Sequence, residues 1–139
     1  MPTPIETVTA FLTRFSEGKE GLYASIREAF TPQTVWENVG LAVTKGAEEA
    51  IELAKQFERQ MGVASVAVEL KAIAASGNTV LTERIDHLLA ADGRELDGPA
   101  VMGAFEVEHG KIIAWRDYFD TAAAQVLAQH WASQPHAAG

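Results

Sequence analysis

The 139-residue chain contains no cysteine, which excludes disulfides, thiolate nucleophiles and cysteine-ligated metals. Redox chemistry therefore does not fix the compartment, and a cytoplasmic protein is the default expectation. No stretch approaches the roughly 20 apolar residues of a membrane span. The opening Met1-Pro2-Thr3-Pro4 lacks the basic segment and apolar core of a secretion signal. Positive charge is scarce: 11 Lys and Arg stand against 19 Asp and Glu, giving a net charge of −8. That balance argues against a nucleic-acid partner, whose phosphates call for a basic patch. No basic amphipathic stretch suits an anionic membrane surface. Gly-rich phosphate loops and nucleophile elbows are missing too. His87, His109, His130 and His136 show no metal-ligand spacing among them.

What is present fits one domain over residues 1–139, long enough to bury a core without staples. Ile5, Val8, Phe11, Leu12 and Phe15 recur at helical spacing after Thr3-Pro4. Leu22, Ile26 and Phe30 carry a second helix up to Thr31-Pro32. A strand is expected over Val35–Val39, then a loop ending at Gly46, then a helix over Ala47–Met61 stopped by Gly62. The period then changes. Val63–Ala75, Thr79–Ala91, Ala100–Glu108 and Lys111–Asp120 read as strands, joined by turn signals at Ser76-Gly77-Asn78, Asp92-Gly93 and His109-Gly110. Such short connections pair strands antiparallel. Asp120 or Thr121 can cap a last helix from Ala122 to about Ala132, and the Gln134–Gly139 tail is expected to fray. The order implies an α+β domain: a strongly curved, mixed or antiparallel sheet packed on the N-terminal helices, forming a cone with a deep apolar pocket.

Three charges interrupt this pattern. Asp117 shares a strand face with Ile113, Trp115 and Phe119, and a carboxylate among such neighbours is costly unless paired. Arg84 and Asp86 share a face with Val80, Thr82 and Leu88. That strand alone reads equally well as carrying a surface Arg–Asp pair. Together the three suggest a buried Asp-Arg-Asp cluster. From the first strand, Trp36 and Asn38 share a face. An inward Asn offers a donor and an acceptor suited to holding water, and an inward Trp offers one N–H within apolar surface. Taken alone, Trp36 is better accounted for by core packing, and Asn38 equally well by a turn or strand-end position. Such a set suits hydrolysis of a strained ring. One carboxyl takes a proton from water, the other gives one to the leaving oxygen, and the arginine keeps one of them ionised. No metal or organic cofactor is required.

Val35-Trp36-Glu37-Asn38-Val39, Thr82-Glu83-Arg84-Ile85-Asp86 and Trp115-Arg116-Asp117-Tyr118-Phe119-Asp120 resemble the limonene-1,2-epoxide hydrolase family, in order and in separation, over nearly the whole chain. The resemblance implies a nuclear-transport-factor-2-like or SnoaL-like fold, usually dimeric, and cofactor-independent push–pull hydrolysis of an epoxide in one step. It implies Asp117 as general base, Asp86 as general acid, Arg84 as the bridge and Asn38 as a water-positioning residue. Where the family typically has a second water-holding tyrosine, this chain has Trp36. An indole N–H still donates to the water oxygen, although it cannot accept. The implied partners are a small apolar epoxide and a second copy of the chain. Two other readings of the scaffold stand beside this one: a ketosteroid-isomerase-like or polyketide-cyclase-like enzyme, and a noncatalytic small-molecule-binding module. Arg116 and Asp120 are assigned structural work, Glu83 an outward position, and none of the histidines a part in catalysis.

Overall fold

The computed structural model describes residues 2–135. Helix α1 (Pro4–Thr13) begins with a reciprocal cap: the Glu6 N–H donates to Thr3 Oγ1 at 3.1 Å, and the Thr3 N–H donates to Glu6 Oε1 at 2.9 Å. Pro4 sits in the first turn, where its missing N–H has no helical partner to lose. A 3₁₀ turn (Arg14–Glu17) leads into α2 (Lys19–Ala29). Strands β1 (Phe30–Asn38) and β2 (Ala42–Lys45) precede α3 (Gly46–Met61). Then come β3 (Ser65–Ser76), β4 (Thr79–Leu89), β5 (Glu95–Asp97), β6 (Ala100–Glu108), β7 (Lys111–Tyr118) and α4 (Thr121–Ala132).

The strands form one mixed sheet in the order β2-β1-β7-β6-β4-β3, with β5 paired to β4. Only the β1–β7 pairing is parallel among those described. Register shifts interrupt β3 between Leu70 and Ala72 and the β6–β7 ladder at Glu106/Val107. An extra residue bends its strand and increases the local twist, and the sheet curls into a half-barrel around the helices. Val8, Phe11, Phe15 and Ile26 from the helical side meet Phe30, Val80, Phe105, Ile112 and Trp115 from the concave face. Burying a side chain of this size stabilises by roughly 1.5–3 kcal/mol, so this layer dominates the fold.

Four features differ from the sequence reading. Strand β1 starts at Phe30 rather than Val35. Its pairing with β7 is irregular between Phe30 and Val35, so the missing N–H of Pro32 interrupts no regular ladder. There the Thr31 N–H donates to Thr34 Oγ1 at 2.8 Å instead. Strand β2 lies in the segment expected to be loop, and β5 lies in the connection after Asp92-Gly93; at four and three residues, neither is long enough for alternation to register. On β7, Ile112 is fully buried and Ile113 only partly so. Glu106 pairs Ala114 and Val107 pairs Ile112, which leaves Ile113 as the extra residue of a bulge and flips the face below it. Residues 136–139 of the tail expected to fray, His136 among them, lie outside the described residues. No helix among the described residues is long and apolar enough to cross a membrane.

Helix α4 has no buried residue and is anchored at its ends. Asp120 caps its start, accepting from the Ala122 N–H at 3.0 Å. At its far end the Trp131 indole N–H donates to the Arg59 carbonyl at 3.1 Å. The Trp131 ring lies over Gly62, which ends α3 at φ 76°; a Cβ there would stand 2.4 Å from the ring. Gly62→Ala is therefore expected to destabilise by on the order of 1–3 kcal/mol, combining left-handed backbone strain with the displaced indole. Thermal unfolding of the variant beside the parent measures it, and an unchanged Tm would show that α4 is not docked through this contact.

Candidate active site

Sheet register assembles the site row by row. Asn38 of β1 lies beside Asp117 of β7, Asp117 beside Gly103 of β6, and Gly103 beside Thr82 of β4. One step along, Trp36, Trp115, Phe105 and Val80 form the adjoining row on the same concave face. Residues two apart in a strand share a face, so Arg84 and Asp86 of β4 join Thr82. The face that β4 alone left undecided is settled: Val80, Thr82 and Arg84 are buried, whereas Leu81 and Glu83 are exposed.

Arg84 is 1% exposed and its guanidinium has a partner for every N–H. Nε and Nη2 donate to Asp86 Oδ1 and Oδ2 at 3.1 and 2.9 Å. Nη1 and Nη2 donate to Asp117 Oδ1 and Oδ2 at 3.0 and 2.9 Å. The last N–H, on Nη1, reaches Thr82 Oγ1 at 3.2 Å, and the Thr82 hydroxyl donates in turn to the Gly103 carbonyl at 3.4 Å. Five donors in a planar fork thus match two carboxylates and one hydroxyl. Burial works against the Arg84 charge, but Asp117 and Asp86 more than offset it and raise its pKa further.

Asp117 is 5% exposed. Its Oδ1 accepts from Arg84 and from the Trp115 indole N–H at 2.7 Å. Its Oδ2 accepts only from Arg84 among the described residues. A carboxylate oxygen offers two acceptor sites, so Oδ2 is the atom with capacity left for a proton. Burial holds the Asp117 carboxyl above its ordinary value, with Arg84 and the Trp115 N–H acting the other way. Trp115 is held rigidly for this role. It stacks on Trp36 with centroids 4.6 Å apart and planes 10° apart, and on Phe105 at 5.4 Å and 17°.

Gly103 explains how Arg84 reaches across β6. A Cβ at that position would lie 2.4 Å from Arg84 Nη1, 2.8 Å from Asp117 Oδ1 and 2.9 Å from Thr82 Oγ1. Only a missing side chain lets the guanidinium pass between strands. Sequence reasoning missed Gly103, Thr82 and the Trp115 donor. The signal for the first was available: a glycine inside an otherwise regular strand marks a close approach by another group.

Trp36, Asn38, Asp86 and Asp117 all border one cavity, with mostly apolar walls that include Phe57, Leu88 and Leu127. Arg84 lies behind that surface. Two buried N–H groups bordering the cavity, Trp36 Nε1 and Asn38 Nδ2, have no hydrogen-bond partner among the described residues. A buried donor of this kind costs about 1–3 kcal/mol unless something accepts from it, and a molecule in the cavity can. Arg116, Glu83 and His87 do not line the cavity, whereas Asp120, assigned structural work, both caps α4 and borders it. Arg116 pairs with Glu106 at 2.7 Å, and His87 bonds Glu69 at 3.0 Å and also Glu95.

Comparison with known proteins places nearly the whole chain among epoxide hydrolase sequences and related folds. Residues 2–131 match the family described as limonene-1,2-epoxide hydrolase catalytic domain. The epoxide hydrolase EphG of Mycobacterium tuberculosis (strain ATCC 25618 / H37Rv) is 35% identical over 98 residues, which cover 70% of this chain and 62% of that protein's length. An LEH-like epoxide hydrolase structure from M. tuberculosis superposes with a TM-score of 0.70 at 30% identity, over 91% of this chain and 90% of its own. An NTF2-like protein of unknown function from Burkholderia pseudomallei K96243 shares the fold, with a TM-score of 0.74 at 19% identity over 92% of this chain and 98% of its own. A family model that matches this sequence almost end to end gives the assignment: the chain belongs to the limonene-1,2-epoxide hydrolase family.

Proposed function

We propose that this chain adds water to an apolar epoxide, cyclic or terminal, to give a vicinal diol in one push–pull step without a cofactor. The observation that carries the reading is the bidentate bridging of Asp86 and Asp117 by a fully buried Arg84, beside a mostly apolar cavity. With both carboxyls ionised the trio carries one net negative charge; with one protonated it is neutral, which burial favours. One proton shared between two acids sets up one acid and one base.

In this reading water accepts from the Trp36 N–H and presents its protons to Asp117 Oδ2 and the Asn38 amide oxygen. Asp117 takes one proton as the water oxygen bonds to the ring carbon. The carbon–oxygen bond of the epoxide breaks, and Asp86 protonates the departing oxygen. Arg84 stays charged throughout and faces both carboxyls, so it balances whichever of them is ionised. The unpartnered Trp36 donor supports the water site. The family supports a homodimer, as do Val35, Leu81, Met102 and Tyr118, large apolar or aromatic side chains left exposed on the sheet. We place the protein in the cytoplasm and assign residues 1–139 to this one domain.

Asp117→Asn and Asp86→Asn are each expected to lower turnover by about 10²–10⁴-fold while leaving the fold intact. Single-turnover hydrolysis of a small epoxide panel in ¹⁸O-water checks this. Solvent label should enter the diol directly, and undiminished turnover in Asp117→Asn would remove it as the base. Gly103→Ala is expected to cost about 10²-fold in kcat by pushing Arg84 off the two carboxyls. Retention of full activity with native circular dichroism would show that the Arg84 position is not critical.

The pH dependence follows from Asp117. Its carboxyl must be ionised to accept a proton, and burial raises its pKa. Activity should therefore fall with decreasing pH along a limb lying above the ordinary aspartate value of about 3.9. A pH–rate profile flat down to pH 4, in a protein still folded there, would contradict this.

A further inference from the structure

Resting on the hydrolase reading of this cavity, we infer that the site selects epoxides with no negative charge and discriminates against those carrying a carboxylate or another anionic group. The inference comes from what the cavity wall offers a charged ligand. Four aspartates line it: Asp86, Asp97, Asp117 and Asp120. No lysine, arginine or histidine does among the described residues.

The nearby cations cannot serve an anion. Arg84 is 1% exposed, and its five N–H groups are committed to Asp86, Asp117 and Thr82. Binding an external carboxylate would mean breaking one of those bonds and leaving a buried aspartate without its counter-charge. Lys55 lies over the ring of the wall residue Tyr23, with Nζ 5.7 Å from the centroid, but it is solvent-exposed and does not line the cavity. The wall's own hydrogen-bonding capacity differs in kind. Trp36 Nε1 and Asn38 Nδ2 are neutral donors buried beside the reacting acids, suited to water or an uncharged oxygen.

Asp97 is the residue that makes this testable apart from catalysis. It belongs to β5, the short strand along β4, and its Oδ1 accepts from the Gly98 N–H at 2.8 Å. That bond survives in an asparagine. An anion entering the cavity loses its hydration to apolar walls and meets like charge, both of which disfavour it. A neutral chain of equal length loses neither.

The test pairs an epoxidised long-chain fatty acid with its methyl ester at pH 8, where the acid is ionised. The ester is expected to show at least about tenfold higher kcat/KM, carried mainly by KM. The ratio should narrow in Asp97→Asn. Equal kcat/KM for acid and ester, or a preference for the acid, would overturn the inference. A binding measurement separates it from the hydrolase reading: titration of the intrinsic tryptophan fluorescence with decanol and with decanoate. If neither epoxide is turned over but decanol binds and decanoate does not, charge selection stands and the reaction assignment fails. Decanoate binding as tightly as decanol, or binding of neither, would overturn the selection itself.

Discussion

The buried guanidinium of Arg84 is the constraint on which the rest of the site depends. A fully buried charge is tolerated only when it is paired and hydrogen-bonded, and Arg84 meets that requirement with two carboxylates and a threonine hydroxyl. Each partner is in turn fixed by register. Asp117 and Thr82 flank Gly103 on neighbouring strands, and Asp86 follows two residues along β4. The arginine thus sets the distance between the two acids and forbids a side chain at position 103. Removing either acid would leave a neutral pair but strip the guanidinium of two hydrogen bonds, at a cost of about 1–3 kcal/mol. Stability and chemistry are tied to the same group.

The second layer of organisation is aromatic. Trp115 lies between Trp36 and Phe105 in near-parallel stacks and directs its indole N–H at Asp117 Oδ1. The tryptophan at position 36 is therefore part of the packing that holds Trp115 against Asp117 as well as a donor to the cavity. Its ring also meets Phe57 of α3 edge-on at 6.5 Å. A phenol in its place would lose stacking area while gaining an acceptor.

Much of this was legible in the primary structure, for identifiable reasons. Helices α1 to α3 declare themselves by apolar spacing and by the Thr3 and Gly62 signals at their ends. Asp117 stood out because Trp115 flanks it on an apolar face. The Trp-Arg-Asp-Tyr-Phe-Asp and Thr-Glu-Arg-x-Asp segments carried the family. Two short strands escaped because three or four residues hold too little alternation. Ile113 was placed inward because a bulge shifts the period by one residue without leaving any mark in composition. Gly103 was passed over because a glycine records an absence, and what fills the space comes from another strand. The Asp97 and Asp120 contributions to the wall follow from where β5 and α4 close over the sheet, which depends on the tertiary fold.

The single parallel pairing has a kinetic meaning. Strand β1 joins the sheet only through β7 on one side, and the Thr34 hydroxyl reaches the Ile112 carbonyl across 78 positions of chain. Asn38 and Asp117 meet through that same pairing. The antiparallel β3–β4–β6–β7 meander can close locally as the chain emerges, whereas β1 must wait for a strand that lies 78 positions further along at the Thr34–Ile112 contact. Contacts of such long sequence separation pay loop-closure entropy before they stabilise anything. Asn38 and Asp117, which border the same cavity, are therefore brought together in the slow, nonlocal closing step of folding, and a nascent chain lacks that pairing until β7 has been made.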